Sequence, residues 1–503
     1  MKDAVLKAAL LSRVYEAAVE TVLEFAPALS GRVGNGVWLK REDEQPVFSF
    51  KIRGAYNKMA SLDAAALARG VVASSAGNHA QGVALSAQKL GCRAVIVMPT
   101  TTPSIKVEAV RSFGAEVMLE GDDYDAAYAR ARQIEESEGL AFIHPYDDPM
   151  VIAGQGTIAI EILRQHPGNI DAIYVAVGGG GLIAGIGACI KELRPEIKII
   201  GVEPEDADAM AKSLRAGEIV TLDRVGRFAD GVAVKRVGQL TFDIAKEVID
   251  EIVIVSNDEI CAAIKDIFED RRAILEPAGA LAYAGLKRHA AYHGYKGKNL
   301  VAIACGANIN FDSLRHVSER AEIGEKREAI LAVTIPERPG SFLEFCRTIG
   351  DRSITEFNYR FESNAEAHVF VGLKIANEDE SQTLEANLRQ RGYDVLNLTN
   401  NELAKLHIRH MVGGIAPGAH DERLFQVTFP ERGGALLNFL EKMSAAWNIS
   451  LFHYRNHGSD FGRVLVGIQV PPSDEAPFQT FLSSLGYEFV EETNNPACEL
   501  FLR

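Results

Sequence analysis

Long apolar runs and an excess of basic charge are both missing from this 503-residue chain. A membrane-spanning helix needs roughly 18 or more consecutive apolar residues, and no such stretch occurs. Acidic residues outnumber basic ones by 68 to 53, and the net charge of −15 argues against nucleic acid and anionic membranes as partners. Charges at Lys2, Asp3, Lys7 and Arg13 interrupt the apolar region that a secretory signal requires. We therefore expect neither a membrane nor a nucleic-acid partner.

Cysteine is scarce, and paired cysteine motifs are absent from the sequence. The six cysteines are irregularly spaced, and no two of them form a C-x-x-C pair. This pattern argues against a disulfide framework and against a zinc ribbon. The sequence therefore predicts a protein of the reducing cytoplasm.

Short β-branched runs alternate with amphipathic helical stretches between about residues 35 and 310. The runs expected to form strands are 70–76, 93–99, 115–121, 172–178, 198–204 and 299–306. Helical patterns separate them, and two of these, 80–91 and 104–114, stop at a glycine, as helices often do. Alternation with fully apolar strands predicts an α/β fold whose parallel sheets are covered by helices on both faces.

An internal repeat occupies the C-terminal part of the chain, beyond a polar segment at 316–329 that is expected to be a linker. Residues 337–350 match 431–444, and 354–361 match 449–456, with an offset of about 94 residues. Each copy is predicted to be strand, helix, strand, strand, helix, strand. A Gly- and Pro-containing stretch at 413–423 joins the two copies.

Lys51 lies in SFKIRGAYNKM (49–59), at the start of an apolar helical pattern. Most isolated lysines at such a position are surface residues. Here Phe48, Phe50 and Ile52 are expected to bury Lys51 in part. A desolvated lysine has a lowered pKa, and its neutral amine is a nucleophile for an aldehyde.

Two glycine- and serine-rich turns each follow an apolar run. SSAGNHAQG (74–82) opens a helix with a density of donors suited to a carboxylate, beyond what a capped turn needs. The tetraglycine 178–181 opens the next helical pattern and suits a phosphate. The same loop also fits a dinucleotide pattern through Gly179, Gly181 and Ala184, with Glu203 at the end of the next strand, so an NAD-binding domain stays open.

Cys305 ends a short apolar run at a turn, in IACGANINF (303–311). A cysteine here acts either as a small buried hydrophobe or as a side chain that meets a ligand edge. The glycine-bearing segment EPAGALAYAGL (276–286) is expected to be another wall of the same pocket.

Five motifs in this order closely resemble the biosynthetic threonine dehydratases. They are SFKIRGA (49–55), SSAGNHAQG (74–82), GGGGLIAG (178–185), EPAGA (276–280) and CGAN (305–308). That family has the tryptophan-synthase-β-like pyridoxal-phosphate fold, and its longer members carry two ACT-like modules, so the resemblance covers the whole chain. It implies a two-lobed parallel-sheet catalytic domain at 1–320, with a smaller lobe inserted at about 40–150. A linker at 321–329 and ACT-like regulatory units at 330–412 and 423–503 would follow.

The resemblance also assigns roles to residues of the first domain. Lys51 would be catalytic and would hold pyridoxal phosphate as a Schiff base, Asn78 would contact the ring hydroxyl, and Cys305 would face the pyridine nitrogen. The phosphate would be bound by backbone amides of Gly178, Gly179, Gly180, Gly181 and Leu182. The substrate would lie against the turn formed by Ser75, Ala76, Gly77, Asn78 and His79.

Three positions depart from related enzymes of this fold. Cys305 stands where serine is frequent, and a thiol is the weaker hydrogen-bond partner. Ala76 stands where serine racemases have a serine on the face opposite the lysine, which favours a lyase. Glu203 remains from the racemase metal site, but Ala209 replaces a second acidic ligand, so a dedicated Mg²⁺ site is not expected there, while a monovalent ion stays open.

The implied reaction is the deamination of L-threonine to 2-oxobutanoate and ammonia, the first step of isoleucine biosynthesis, with L-serine as a further substrate. The resemblance also implies inhibition by isoleucine, opposition by valine, and a homotetramer. Tyr359, Tyr454 and Arg455 hold corresponding positions in the two repeat copies and are candidate effector-binding residues; ordinary exposed strand polarity explains them equally well.

Two other kinds of function stay open at this point. A serine dehydratase or serine racemase of the same fold would share the motifs around Lys51. A non-catalytic amino-acid-binding regulator would share the duplicated C-terminal part. An absorbance band of a lysine-bound cofactor in the purified protein would argue against the regulator and against an NAD enzyme.

Overall fold

The computed structural model divides the chain into two compact units, residues 1–321 and 322–503. The structure describes residues 1–336, 344–345, 348–350, 352, 354–360, 366–410, 421–430, 439, 442–443, 447–455 and 461–502. In this part of the chain, no helix has both the length and the apolar character that crossing a bilayer requires.

Unit 1 consists of ten strands and the helices between them. The strands are β1 (Leu23–Phe25), β2 (Gly36–Arg41), β3 (Val71–Ser74), β4 (Ala94–Met98), β5 (Glu116–Leu119), β6 (Ala141–Phe142), β7 (Ala172–Ala176), β8 (Lys198–Pro204), β9 (Glu251–Val255) and β10 (Asn299–Ala304). The helices are α1 (Lys2–Leu10), α2 (Pro27–Val33), α3 (Lys51–Ala60), α4 (Ala64–Arg69), α5 (Asn78–Leu90), α6 (Ser104–Ser112), α7 (Tyr124–Glu138), α8 (Pro149–Gln165), α9 (Gly181–Leu193), α10 (Ala209–Ala216), α11 (Gln239–Val248), α12 (Asn257–Arg271), α13 (Pro277–Tyr292) and α14 (Ser313–Gly324), the last of which runs into unit 2.

Two sheets organise unit 1. The larger has the strand order β1-β2-β10-β7-β8-β9 and the smaller the order β5-β4-β3-β6. All strand pairs are parallel except β1 with β2, which is antiparallel. The sequence pattern did not reveal β1, which is an edge strand. Strands such as β7 are buried along their whole length, as continuous apolar runs in a parallel sheet should be. The predicted α/β fold with parallel sheets is confirmed.

Helix α3 is held close to its neighbours by glycine contacts. A Cβ on Gly154 of α8 would lie 2.7 Å from the carbonyl oxygen of Arg53, and one on Gly82 of α5 would lie 3.2 Å from that of Lys51. Both distances are tighter than ordinary van der Waals contact: a Cβ does not fit at Gly154, and one at Gly82 would require the backbone of α3 to shift slightly. The start of α3 is therefore fixed in position.

A fully buried ionic network also holds α3. The Arg53 guanidinium donates to Glu42 (2.7 Å) and to Glu161 (2.6 Å), and Lys40 donates to the second Glu161 oxygen (2.6 Å). All four side chains are inaccessible to solvent. Because buried charges are tolerated only when paired, this network ties α3 both to α8 and to the segment that follows β2.

Unit 2 contains two copies of one α+β arrangement. The first copy has β11 (Glu328–Pro336), β12 (Ile354–Arg360), β13 (Glu366–Lys374), α15 (Glu378–Gln390), β14 (Asp394–Asn397) and α16 (Glu402–Leu406). The second has β15 (Glu422–Pro430), β16 (Asn448–Arg455), β17 (Phe461–Gln469), α17 (Glu475–Ser484), β18 (Glu488–Glu491) and α18 (Pro496–Phe501). Their sheets have the equivalent orders β12-β13-β11-β14 and β16-β17-β15-β18.

The two copies share one buried core. Ile330 and Phe370 of the first copy and Leu424 and Leu465 of the second lie in the same apolar cluster. Phe501 of α18 packs edge-on against Phe370, with the ring centroids 5.7 Å apart. Each copy therefore buries one sheet face against its own helix and the other against its partner copy.

The expected linker at 316–329 is mostly regular structure. Helix α14 extends to Gly324, and β11 already begins at Glu328. Its polar composition reflects a helix that buries a narrow apolar stripe, with Val317, Ala321 and Ile323 inside. The sequence pattern also missed the short terminal helices α16 and α18.

Candidate active site

A cleft of about 500 Å³ opens where parallel strands of unit 1 end. Ala176 ends β7, Cys305 follows β10 and Asn78 follows β3, so the cleft lies at the carboxyl ends of strands, the usual ligand position in such sheets. The residues that line it are Phe50, Lys51, Asn78, Pro145, Tyr146, Gln155, Ala176, Gly178, Gly179, Gly180, Gly181, Leu182, Gly231, Val232, Glu276, Ala278 and Cys305. The structure thus brings together the four sequence motifs that carry Lys51, Asn78, the tetraglycine and Cys305.

Lys51 is the first residue of α3, and its amine lies inside the cleft. Its Nζ donates a hydrogen bond to the Pro145 carbonyl oxygen (3.1 Å) and lies 5.3 Å from the centre of the Phe50 ring. Burial lowers the pKa of Lys51 to about 8, because the charged form loses its water; the nearby acidic groups only partly oppose this. A substantial neutral fraction is therefore available as a nucleophile or base near neutral pH.

The prediction that Phe48 helps to bury Lys51 is wrong. Phe50 and Ile52 are buried, but the side chain of Phe48 is 57% exposed. Its backbone has φ 54°, and its carbonyl accepts a hydrogen bond from the Ala307 amide (2.9 Å), which turns the ring outward. A left-handed conformation at a non-glycine residue is not visible in a hydrophobic pattern.

The tetraglycine forms a cradle that side chains would fill. A Cβ on Gly179 would overlap the Tyr146 ring, and one on Gly181 would lie 2.9 Å from the Tyr146 Cβ. Gly180 has φ +95°, which only glycine adopts without strain. Since the loop leads directly into α9, the free amides at the start of that helix and its dipole favour a phosphate here.

The loop 144–148 forms the opposite wall and was not identified from the sequence. His144 Nδ1 accepts the amides of Tyr146 (3.2 Å) and Asp147 (2.7 Å). The Asp147 carboxylate accepts the Thr241 amide (3.1 Å), and the Thr241 hydroxyl donates to the Gly179 carbonyl (2.7 Å). Burial lowers the pKa of His144 to about 4, which keeps this nitrogen free to accept. The dense polar run HPYDD was the available signal.

Asn78 is held by two side chains that line or flank the cleft. Its amide nitrogen donates to Glu276 (2.5 Å), and its oxygen accepts from Asn308 (2.7 Å). Burial raises the pKa of Glu276 well above its usual range, and the charge of Asp230 adds to this. The sequence marked the segment of Glu276 for its glycines and overlooked its carboxyl.

The turn before α5 contains the expected substrate-binding residues. Ser75, Ala76 and Gly77 are partly exposed beside Asn78, and the Ser75 hydroxyl accepts the Gly77 amide (3.2 Å). The side chain of His79 is buried, and its Nε2 donates to the Ile143 carbonyl (2.8 Å). Burial lowers the pKa of His79 to about 3, so the imidazole is neutral, and an anion here would meet helix amides.

Cys305 is buried in the cleft wall, and its thiol donates to the Ala278 carbonyl (3.2 Å). Burial raises the pKa of this thiol, with the Glu276 charge adding to the effect. Cys305 is therefore a neutral thiol, a weak donor at most toward a ring nitrogen.

Glu203 does not serve as the acidic residue of a dinucleotide site. It is buried, and its carboxyl oxygens accept the amides of Met210 (2.9 Å) and Ala211 (2.8 Å) at the start of α10. Burial raises its pKa to about 8. The carboxyl thus binds a helix terminus and is inaccessible to solvent, so it does not reach a ribose hydroxyl.

The residues of the cleft fit pyridoxal phosphate. The glycine cradle accepts a phosphate at a helix N-terminus, where a Cβ would fill the space. The Lys51 amine, with its lowered pKa, suits the aldehyde, and Asn78 provides an amide in the same cleft.

Family models match almost the whole chain. One described as "Pyridoxal-phosphate dependent enzyme" matches residues 14–306. Another, described as "C-terminal regulatory domain of Threonine dehydratase", matches twice, at 319–408 and 413–502. The two regulatory matches coincide with the two copies of unit 2.

Curated relatives match over nearly the whole of this chain. The chain is 58% identical to the biosynthetic L-threonine dehydratase of Burkholderia multivorans, over 99% of both chains. It is 52% identical to that of Escherichia coli, over 99% of this chain and 96% of the relative. It is 55% identical to a chloroplastic biosynthetic threonine dehydratase of Solanum lycopersicum, over 98% of this chain and 81% of the relative.

Solved structures match over about two thirds of the chain. The processed form of threonine deaminase isoform 2 from Solanum lycopersicum is 51% identical and has a TM-score of 0.63, covering 64% of this chain and 88% of its own. Maize serine racemase is 32% identical (TM-score 0.58), covering 63% of this chain and 96% of its own. A second threonine deaminase, from T.th., is 39% identical (TM-score 0.58), covering 61% of this chain and 98% of its own.

Proposed function

The chain belongs to the biosynthetic threonine dehydratases, a family of pyridoxal-phosphate-dependent enzymes, and from this premise we propose that it converts L-threonine to 2-oxobutanoate and ammonia. The observation that carries the proposal is the desolvated Lys51 amine in a cleft shared with the glycine cradle. L-Serine, which lacks only a methyl group, is expected to react as well, since one methylene is worth about 1–3 kcal/mol of discrimination. The reaction is the first step of isoleucine biosynthesis.

We propose that Lys51 is the catalytic base and that it binds the cofactor. When bound, pyridoxal phosphate supplies an electron sink that acidifies the Cα–H bond of the substrate. Lys51 then takes the Cα proton, a role that suits an amine whose pKa is about 8. The Pro145 carbonyl, 3.1 Å from Nζ, orients that amine.

The cradle and the walls of the cleft position the reactants. Gly178, Gly179, Gly180, Gly181 and Leu182 would bind the phosphate through backbone amides, and Asn78 would contact the ring hydroxyl. The Cys305 thiol would face the ring nitrogen as a weak donor. The turn of Ser75, Ala76, Gly77, Asn78 and His79 would bind the substrate carboxylate, supported by the amides at the start of α5.

Ala76 favours a lyase over a racemase. Racemisation needs an acid or base on each face of the Cα carbanion, and the side chain of Ala76 can provide neither. Maize serine racemase has the same fold, so the fold does not distinguish a lyase from a racemase, and the side chains must do so. Rates on L-threonine, L-serine and D-serine, together with the configuration of unreacted serine, distinguish the two activities.

The test of the proposed function is Lys51→Ala, with Lys58→Ala as the matched control on the same helix. Lys58 is partly exposed and pairs with Asp148 (2.7 Å), and neither side chain lines the cleft. We expect Lys51→Ala to lower kcat at least about 10²-fold, the usual contribution of a general base, and Lys58→Ala to change it little. Borohydride reduction and peptide mapping should label Lys51. Full activity in Lys51→Ala would refute the assignment.

We propose that the duplicated unit 2 senses isoleucine as an inhibitor and valine as its antagonist. The matching model is described as a regulatory domain, which supports this role. Tyr359, Tyr454 and Arg455 are the candidate effector-binding residues. Tyr359 and Tyr454 hold equivalent register positions, paired with Val369 and Val464, on β12 and β16. Their side chains, and the turns 339–342 and 433–436 that could bind an effector carboxylate, lie outside the described residues.

We also propose a homotetramer in the cytoplasm. Coupling between an effector site and the cleft requires at least two global states, which oligomers readily provide. Cys92, Cys189 and Cys305 are free thiols, in keeping with a reducing compartment. Light scattering of the purified protein tests the assembly state.

A further inference from the structure

Two histidines and a glutamate meet at the edge of unit 1, at the opposite end of α13 from the cleft, with His289 buried beneath the other two side chains' exposed groups. Glu251 begins β9, the edge strand of the larger sheet. His289 lies in the last turn of α13, and His293 follows the helix. One ligand atom from each of the three side chains lies within 4.8 Å of the other two.

The distances within this cluster match those between ligands of one ion. His289 Nε2 is 3.1 Å from one Glu251 oxygen, and His293 Nε2 is 3.5 Å from the other. Tetrahedral zinc with ligands at about 2.0–2.2 Å places neighbouring ligand atoms about 3.3 Å apart. These two contacts involve different Glu251 oxygens, so the side chains would shift to share an ion through one of them.

The surroundings hold both imidazoles in place. The buried Tyr174 hydroxyl lies 2.8 Å from His289 Nδ1, the kind of outer contact that orients a metal-binding histidine. Tyr295 stacks on His293, with ring centroids 5.4 Å apart and an interplanar angle of 27°. The cluster also lies at the C-terminal end of α13, where the helix dipole favours positive charge.

We propose that Glu251, His289 and His293 form a surface binding site for a divalent transition ion such as zinc. Two imidazoles and one carboxylate favour zinc, nickel or cobalt, whereas magnesium and calcium prefer oxygen ligands. The side chains of Glu251 and His293 are 42% and 34% exposed, so an ion can enter from solvent and keep an open fourth position. Nothing in this site takes part in the amino-acid chemistry of the cleft.

The test is calorimetric titration of the full-length holoenzyme with Zn²⁺, in wild type and in three variants. We expect His293→Gln and Glu251→Gln each to weaken binding at this site at least about tenfold. Tyr174→Phe, which removes only the outer contact, should weaken it about 10- to 100-fold. Glu247→Gln, an exposed carboxylate on α11, is the matched control and should bind Zn²⁺ as wild type does.

Two controls and one contrary outcome complete the test. His293 is partly exposed, so its replacement should leave the fold and the activity without zinc unchanged, which circular dichroism and a rate assay check. A large excess of Mg²⁺ should not compete for the site. Equal Zn²⁺ stoichiometry and affinity in wild type and His293→Gln would overturn the proposal, and would identify the cluster as a hydrogen-bonded surface group only.

Discussion

Two lysines of unit 1 show how one residue type acquires different chemistry. Lys40 is paired with the Glu161 carboxylate at 2.6 Å, within a buried network that fixes α3. Lys51 donates to a neutral carbonyl at 3.1 Å, and burial lowers its pKa to about 8. Burial lowers the pKa of both amines, but the paired Glu161 carboxylate opposes this directly at Lys40, whereas Lys51 lacks such a contact and keeps a more strongly lowered pKa.

Gly179 is the residue of the cradle with the least room for a side chain. A Cβ there would overlap the Tyr146 ring, so Gly179→Ala must push the loop 144–148 away or distort the phosphate site. We expect the affinity for pyridoxal phosphate to fall at least about tenfold, or about 1.4 kcal/mol. Fluorescence titration of the apoprotein with the cofactor measures this.

Two variants separate the overlap from a general loss of stability. Gly31→Ala has open space around the new Cβ and lies in α2, so it should bind the cofactor normally and gain up to about 1 kcal/mol of stability. Combining Gly179→Ala with Tyr146→Ala should recover part of the lost affinity, because the overlapping ring is gone. No recovery in the double variant would contradict the overlap as the cause.

The loop 144–148 is the element that connects the catalytic lysine to the phosphate cradle. The Pro145 carbonyl of this loop accepts a hydrogen bond from Lys51. The Asp147 carboxylate accepts the backbone amide of Thr241, and the Thr241 hydroxyl donates to the Gly179 carbonyl. Neutral His144 keeps the loop closed by accepting two of its amides. Protonation of His144 removes that acceptor, so the shape of both subsites depends on an uncharged imidazole.

His144 should make the stability of unit 1 depend on pH. Its pKa is about 4 when folded and about 6.5 when unfolded, so the unfolded chain binds more protons between these values. Stability is therefore lost as the pH falls from about 6.5 towards 4, by up to about 2 kcal/mol at pH 5.

The measurement is urea unfolding of wild type and His144→Asn at about pH 7.5 and pH 5. The Asn oxygen can accept the same two amides and does not titrate, so the variant should lose less stability than wild type on acidification. The values at the higher pH, where both side chains are neutral, provide the baseline. An identical loss in both proteins would exclude His144 as the source.

We expect catalysis and regulation to be separable at the scale of the whole molecule. All residues that line the cleft belong to unit 1. The threonine deaminase from T.th. matches 61% of this chain with 98% of its own length. Because β11 begins at Glu328, a chain ending after Gly324 keeps α14 whole and removes both repeat copies.

This truncated chain should deaminate L-threonine at a rate within a few-fold of the full-length enzyme. It should also lose its response to isoleucine and valine, because the proposed effector sites are gone. Initial rates with and without each effector measure both effects, and the full-length enzyme assayed in parallel is the control. Unchanged inhibition by isoleucine after truncation would place the effector site in unit 1.

The hydrophobic pattern was sufficient for the class of the fold, because buried strands and amphipathic helices have different periods along the chain. It located β3, β4, β7 and β10 within one or two residues, and the internal repeat matched the two copies of unit 2. The pattern did not reveal the helix at 313–324, whose apolar stripe is narrow, or the outward turn at Phe48.

The motifs also identified Lys51 and the tetraglycine, which line the cleft. These signals are local, since a glycine run or a lysine at a helix start is visible in a few consecutive residues. Glu276 and Thr241 act through partners that are 198 and 62 positions away along the chain. Only folding brings such partners within hydrogen-bond distance, and only the resulting burial lowers the pKa of Lys51 and His144.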